Sequence, residues 1–385
     1  MGAGRFTQGI EIKMETQIQI SRMGLEGQGV GYDSEGNIYF VPGSVVGDLV
    51  KVRARTDSKK YRDAELIEVL EPAQTRVKPI CPYFQNCGGC DWLHWDYAAQ
   101  LKAKEEMVRH ILERGTLNPS TWLPIQGAEE TVHYRNRVQI RRQGPVTGFF
   151  RKKTHELVDV TQCKVAANQI NEEITKIRQE PLPETGQVTK IELLVDAEGK
   201  VHRFENVPHS FSGFQQIHAG QNELLRKKVA SRVRELKARK VLELYCGDGN
   251  LTYSYLDAVD KVYAIDASQS AIASARSKRS SESNNHVWFF ADQVNGSLLR
   301  RLPPEMKDYD TLILDPPRQG TLGCLSRFIH KQLKNIIYVS CAPVTFTQDV
   351  QCLKEDFVLL SIEPIDMFPQ TRHVELIATW VRRSS

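Results

Sequence analysis

Residues 241–250 read VLELYCGDGN, an apolar run that passes directly into a loop containing Gly247 and Gly249. The run has the length and composition of a buried strand, and a helix is expected from about Leu251. Strand, glycine loop and helix in that order open a doubly wound α/β sheet. Further runs follow downstream: VYAID from Val262, VWFFA from Val287, TLILD from Thr311, IIYVS from Ile336, FVLLS from Phe357 and VELIATW from Val374. Apolar runs this continuous, separated by helical stretches, predict a mostly parallel sheet buried on both faces. The chain from Gly220 onward is therefore read as α/β.

The 385 residues are enough for two or three domains. With 41% hydrophobic and 25% charged residues, large-scale disorder and collagen-like repeats are excluded. No window reaches the roughly 18 uninterrupted apolar residues of a membrane-spanning helix. The N-terminal MGAGRFTQGIEIK has no signal-peptide stretch and, with Phe6 in sixth place, no myristoylation pattern. A cytoplasmic protein with no membrane partner and no obligate protein partner is expected. In a reducing compartment the eight cysteines read as thiols, metal ligands or nucleophiles rather than cystines.

Upstream of the α/β half, Ile18 to Glu71 alternate apolar and polar residues between glycine-rich turns, which predicts a small antiparallel barrel. Its last third carries Lys51, Arg53, Arg55, Lys59, Lys60 and Arg62 against one acid, Asp57. This is either a nucleic-acid contact face or an edge kept soluble by charge. The net charge is only +4, so the placement of the basic residues matters more than their total. Between about Pro124 and Gly213, short strands mix with YRNRVQIRRQGPVTGFFRKK, in which seven basic residues from Arg135 to Lys153 meet no acid. Tyr134, Phe149 and Phe150 interleave with them. Phosphates attract Arg and Lys while unstacked bases want an aromatic face, so RNA is the expected partner, with a plain basic surface as the alternative.

In the glycine loop, Gly247 and Gly249 allow the backbone to approach a ligand closely. The next strand ends in Asp266, 19 residues beyond Gly247, where a carboxylate can accept hydrogen bonds from both hydroxyls of a ribose. Thr252 stands in place of the third glycine of the dinucleotide fingerprint, which disfavours a nicotinamide cofactor. Helix N-capping is the plainer role for Asp266 and Asp292 taken singly. This half of the chain resembles the class I S-adenosyl-L-methionine-dependent methyltransferases. The resemblance implies that the third strand ends near the adenine, at Asp292, and the fourth at the reacting centre, at Asp315.

The fourth strand ends DPPRQG. Its two prolines hold the chain extended, so that Asp315 projects into the crevice where such sheets bind ligands. Methyltransferases of exocyclic amines follow similar prolines with an aromatic residue, whereas here Arg318 follows, which disfavours an amino-group substrate. The fifth strand ends Ser340, Cys341, Ala342, Pro343. A strand-end Cys is commonly a packed small hydrophobe, but adjacent strand ends put Cys341 beside Asp315. A thiol there answers a specific difficulty, because carbon 5 of a pyrimidine is too electron-poor to take a methyl group unaided. Thiolate addition to carbon 6 makes carbon 5 enolate-like, and a base must later remove the carbon 5 proton so that the thiol can leave. A free thiol has a pKa of about 8.5, so the site is expected to favour the anion. The base is sought at Glu375, at the head of the last apolar strand.

SCAP with Cys341, DPPRQG with Asp315 and DMFPQTRHVE with Glu375 resemble the RNA uracil-5-methyltransferases, which form 5-methyluridine in transfer or ribosomal RNA. The resemblance makes Cys341 the nucleophile and Glu375 the proton acceptor. FQQIH, residues 214–218, looks like the Phe-x-Gln-x-Asn signature and gives Gln216 a cofactor contact. Tyr245, Asn250, Asp266, Asp292 and Asp315 align with the remaining cofactor-contacting positions. His218 replaces the signature Asn, Ala342 replaces the Asn usual after the catalytic Cys, and Asp266 is shorter than the more usual Glu.

Cys81, Cys87 and Cys90 have the spacing C-x5-C-x2-C, and Cys163 lies far downstream. Four thiolates can hold a structural zinc or a 4Fe-4S cluster. The run CPYFQNCGGCDWLHWDYAAQLKAK resembles the cluster region of the same family, which implies a 4Fe-4S cluster in a structural or RNA-positioning role. The barrel resembles its TRAM-type RNA-binding domain. The implied organisation is a barrel at 15–75, an α+β cluster-bearing domain at 76–213, and a class I Rossmann-like methyltransferase domain at 214–385. Ribosomal RNA, of the 23S type, is the favoured target and transfer RNA the alternative. A cytosine-5 enzyme is a third reading, although such enzymes resemble a pattern with a second Cys where Arg318 and Gln319 stand. The fourth is an RNA-binding protein with an inactive methyltransferase fold.

Overall fold

The computed structural model describes residues 15–55, 61–181, 188–207, 215–279 and 286–383. Strands β1 (Glu15–Met23), β2 (Gly29–Tyr32), β3 (Ile38–Val41), β4 (Leu49–Ala54) and β5 (Arg62–Glu71) close into a barrel of order β1-β2-β3-β5-β4. Alternation puts Ile18 and Ile20 inside with Val41, Val50 and Val52. Gly31 is required by a close approach, since a Cβ there would lie 2.3 Å from the Gln19 carbonyl oxygen. The basic run does not stand alone: Lys51 and Arg53 both pair with Glu15 at 2.7 Å, and Arg55 pairs with Glu65 at 3.6 Å. These acids lie on other strands. Asp57, Lys59 and Lys60 lie outside the described residues.

Beyond β6 (Thr121–Trp122), a second sheet contains β7 (Arg137–Gln143), β8 (Val146–Phe150), β9 (Leu157–Asp159), β10 (Thr189–Val195) and β11 (Val201–Glu205), in the order β11-β10-β7-β8-β9. The helix Asn168–Gln179 covers it with Ile170, Ile174 and Ile177, spaced for one helical face. Part of the basic stretch turns inward. Arg137 forms a buried ion pair with Glu192, and Arg142 donates to the Glu180 carbonyl at 2.7 Å. Tyr134, expected as a stacking face for bases, is buried, with its hydroxyl donating to the Pro369 carbonyl at 2.9 Å.

The third sheet contains β12 (Lys240–Leu244), β13 (Lys261–Asp266), β14 (Val287–Ala291), β15 (Thr311–Leu314), β16 (Asn335–Ser340), β17 (Phe357–Ile365) and β18 (Glu375–Arg382). Its order is β14-β13-β12-β15-β16-β18-β17-β6. The first five strands are parallel, β18 runs antiparallel between β16 and β17, and β6 adds at the far edge. Core side chains cover both faces, Leu242, Leu312 and Ile336 on one and Val241, Ile313 and Ile337 on the other. The order reverses between β12 and β15, which opens a crevice above their C-terminal ends. The helix Tyr97–Arg114 packs Val108 and Leu112 into this core with Phe346 and Val350. Among the described residues no helix is long and apolar enough to cross a membrane.

Candidate active site

At the end of β12 the chain turns through left-handed backbone at Tyr245, Gly247 and Gly249, with φ of 63°, 55° and 83°. A Cβ at Gly247 would meet nothing within 4 Å, whereas one at Gly249 would strike the Tyr253 ring at 2.7 Å. The first glycine therefore borders open space and the second lets the loop fold onto its own helix. Asp266 closes the loop by accepting from the amides of Gly247 at 3.0 Å and Ser268 at 2.8 Å. The cap of the helix Gln269–Ser277 is Ser268, so Asp266 is not spent on capping. Asp292, just past β14, accepts from Arg301 at 3.0 and 2.8 Å, and this guanidinium holds its carboxyl below the usual range.

The other expected cofactor residues are held by separate local contacts, and the residues either side of Gln216 line the cavity of the four cysteines. Asn250 exchanges hydrogen bonds with Asn222 at 3.0 and 2.8 Å. Tyr245 is half-buried, and burial with the nearby Cys324 thiol raises its hydroxyl pKa. Gln216 is buried, and its carbonyl accepts from Asn136 at 3.0 Å. Phe214 lies outside the described residues. His218 caps the helix Ala219–Glu235: Nδ1 accepts from the Gln221 amide at 3.4 Å while Nε2 donates to the Glu130 carbonyl at 2.9 Å. Burial lowers its pKa, in keeping with a neutral ring that accepts at Nδ1. His218 thus holds an N-cap position, a place that Asn also favours.

At the sheet's centre, Leu314 of β15 pairs with Tyr338 of β16, and Ser340 of β16 with Leu376 of β18. The register brings Asp315, Cys341 and Glu375 to one edge on three neighbouring strands. Cys341 is half-buried and Glu375 is 2% exposed. Burial pushes the thiol up to about 12, aided by the negative charges of Glu375 and Asp315 and opposed by Arg318. Burial and Asp266 push Asp315 up to about 7. Burial and Asp315 also raise Glu375 well above the carboxylate range, again against Arg318. The expected thiolate is therefore not favoured in the protein alone, because three acidic groups share one desolvated edge.

Two site residues escaped the sequence reading in this role. Arg318, quoted only for the aromatic and the second Cys that it replaces, is the cation that favours ionisation of both Cys341 and Glu375. Glu243 lies beneath the loop, fully buried, and accepts from the Tyr255 hydroxyl; burial pushes it up to about 7. A lone carboxylate inside the apolar run VLELY was the signal available.

Cys81, Cys87, Cys90 and Cys163 line one cavity of about 370 Å³, together with Arg135 and Phe84. Burial raises the thiols of Cys87, Cys90 and Cys163, and Arg135 opposes it. Among the described residues no group of three or more His, Cys, Asp or Glu is placed to hold a single metal ion.

The parallel sheet with its switch point, the glycine loop and Asp266 define a class I S-adenosyl-L-methionine-dependent methyltransferase, preceded by a small closed barrel. The chain belongs to the tRNA (uracil-5-)-methyltransferase family, whose sequence model matches residues 189–383. It is an RNA uracil-5-methyltransferase. An uncharacterized RNA methyltransferase of Thermosynechococcus vestitus is 28% identical, covering 94% of this chain and 97% of the relative. The 23S rRNA (uracil(1939)-C(5))-methyltransferase RlmD of Aeromonas hydrophila is 26% identical over 91% of this chain and 92% of its own. Among solved structures, the tRNA (uracil-54, C5)-methyltransferase of Pyrococcus abyssi superimposes with a TM-score of 0.73, covering 95% of this chain and 100% of that one at 23% identity.

Proposed function

We propose that this chain forms 5-methyluridine in 23S ribosomal RNA, with Cys341 as nucleophile and Glu375 as proton acceptor. The observation that carries the reading is the convergence of Cys341, Asp315 and Glu375 on one strand-end edge beside the glycine loop. S-adenosyl-L-methionine, when bound, supplies an electrophilic methyl group and a positive charge. Open space at Gly247 and the Asp266 carboxylate fit its nucleoside, with Gln216, Tyr245, Asn250, Asp292 and Asp315 as further contacts. Cys341 Sγ gives its proton to water and bonds to carbon 6 of uracil, and the carbon 5–carbon 6 π electrons shift to make carbon 5 nucleophilic. Arg318 favours the thiolate against its acidic neighbours. With the methyl group on carbon 5 and S-adenosylhomocysteine as the leaving group, Glu375 in the ionised form that Arg318 favours accepts the carbon 5 proton, the carbon 5–carbon 6 double bond re-forms, and Sγ leaves.

The four cysteines are read as ligands of a 4Fe-4S cluster. A single ion needs all ligand atoms about 2.3 Å away, whereas a cubane cluster attaches each thiolate to a different iron. Four thiols spread around one cavity, beside a guanidinium that favours the anions of Cys87, Cys90 and Cys163, suit the cluster better. Its role is read as structural or RNA-positioning. The barrel, 15–75, is read as a TRAM-type RNA-binding domain, 76–213 as the cluster-bearing domain and 214–385 as the methyltransferase domain. A uracil inside a helix must be flipped out, or lie already unpaired, to reach Cys341. The reading is of a cytoplasmic enzyme.

Ribosomal RNA is favoured because curated relatives of full length carry that activity in their names; the transfer RNA alternative rests on the solved structural neighbour. Mass spectrometry of RNA from cells lacking the protein tests the choice. Loss of 5-methyluridine from 23S rRNA is expected; loss confined to tRNA would overturn the target. Cys341→Ala should abolish methyl incorporation while S-adenosylhomocysteine still binds.

A further inference from the structure

The segment that delivers Glu375 to the site, residues 366–374, has no regular secondary structure, yet its polar groups are held one by one. Asp366 is completely buried; its carboxylate accepts from Lys104 Nζ at 2.5 Å, from the Tyr97 hydroxyl at 2.9 Å and from the Phe368 amide at 3.1 Å. Lys104 Nζ also donates to the Phe368 carbonyl at 3.1 Å. Gln370, in left-handed backbone with φ of 67°, makes two bonds to one side chain. Gln100 Nε2 donates to its Oε1 at 3.0 Å, and its amide donates to Gln100 Oε1 at 3.2 Å. Its carbonyl accepts from the amides of Asp91 and Trp92 at 3.0 and 3.1 Å. The Asp91 carboxylate accepts from the Arg372 amide at 3.2 Å.

Tyr97, Gln100 and Lys104 fall three and four residues apart on the helix Tyr97–Arg114 and so form one polar stripe facing this segment. Asp91 and Trp92 follow Cys90 directly in the chain. A left-handed glutamine held at four points is backbone fixed by its surroundings rather than by preference. The segment ends five residues later at Glu375, on the first residue of β18.

We propose that Gln100, with Lys104 and the Asp91–Trp92 backbone, is a positioning residue for the proton-accepting step, setting where the Glu375 carboxylate stands relative to the substrate's carbon 5. The proposal rests on the reading of Glu375 as proton acceptor. It couples the loop that carries Cys81, Cys87 and Cys90 to the elimination half of the reaction, while Cys341, just past the end of β16, is carried by a different strand. Displacing Glu375 by a fraction of an ångström therefore slows release of the methylated RNA more than it slows addition and methylation.

Gln100→Met removes both hydrogen bonds to Gln370 at nearly constant volume, together with those Nε2 donates to the Trp92 and Trp95 carbonyls at 3.0 and 2.8 Å. Single-turnover reactions with in-vitro-transcribed 23S rRNA, and with a tRNA transcript as a second arm, separate two rates. Methyl incorporation from labelled S-adenosylmethionine is one, and release of free methylated RNA on a denaturing gel is the other. Release is expected to fall roughly tenfold or more, with methyl incorporation changing much less, so that covalent protein–RNA adduct accumulates. Gln370→Met, which removes the side-chain bond from the other partner and leaves Gln100 bonded to the Trp92 and Trp95 carbonyls, should slow release in the same direction. Equal losses in both rates, or release at the wild-type rate, would overturn the proposal. Glu375→Gln run in parallel distinguishes the two layers: if it accumulates adduct and Gln100→Met does not, positioning fails; if Glu375→Gln accumulates none, the base reading fails.

Discussion

Lys104 and Asp366 form an ion pair of 2.5 Å in which both side chains are completely buried. Burial pulls the ammonium pKa down and the carboxylate beside it resists that pull. Removing one partner leaves the other charge stranded, so Lys104→Met should destabilise the fold by about 3–5 kcal/mol. The double variant Lys104→Met/Asp366→Leu should recover much of the loss. Urea unfolding of the three proteins decides; a single variant within experimental error of wild type would remove the pair from the account.

Glu243 gives a pH dependence of stability with a definite sign. Its folded pKa, about 7, exceeds its ordinary value of 4.5, so the folded state keeps a proton that the unfolded chain has lost. Stability from this group therefore falls as pH rises from about 4.5 to 7. Glu243→Gln removes that fall. Relative to wild type, the variant should gain on the order of 3 kcal/mol across this window. Denaturation curves at pH 4.5 and 7.5 measure the difference, and a constant offset between the proteins would show that Glu243 ionises normally.

The Cys341 thiol, pushed up to about 12, should be a slow nucleophile in the protein alone. Alkylation of its peptide by iodoacetamide, followed by mass spectrometry, is expected to accelerate about tenfold per pH unit from pH 7 to 10. Arg318→Met should slow it further at each pH, because the cation that favours the thiolate is gone. A rate already level at pH 8 would mean that the thiol is ionised without help.

Cys90→Ser tests the proposed cluster. Anaerobically purified wild type should contain iron and absorb near 400 nm, and the variant should lose most of both. Since Asp91 and Trp92 hold Gln370, the variant should also melt at a lower temperature. Stoichiometric zinc without iron in the wild-type protein would contradict the cluster.

Much of the α/β half was legible because its information is local. Each apolar run names a buried strand, and the glycine loop declares itself by its place between strand and helix. Cys341, Asp315 and Glu375 were readable as strand ends, and the register then placed them together. Long-range pairings were not readable. Glu15 pairs with both Lys51 and Arg53 from another strand, and Glu192 takes Arg137 out of the surface; neither acid is near its partners in sequence. Thr121–Trp122 is too short to announce a strand, yet it extends the large sheet at β17. The raised pKa values at the site likewise arise from desolvation and neighbours that only the packed fold supplies.

The measurement closest to the central claim is the fate of RNA on Glu375→Gln. With labelled S-adenosylmethionine and an unmodified rRNA transcript, the variant should form a methylated RNA joined to the protein through Cys341, stable on a denaturing gel and absent from Cys341→Ala. Free 5-methyluridine released at the wild-type rate would contradict the assignment of Glu375, and an adduct persisting in Cys341→Ala would contradict that of the nucleophile.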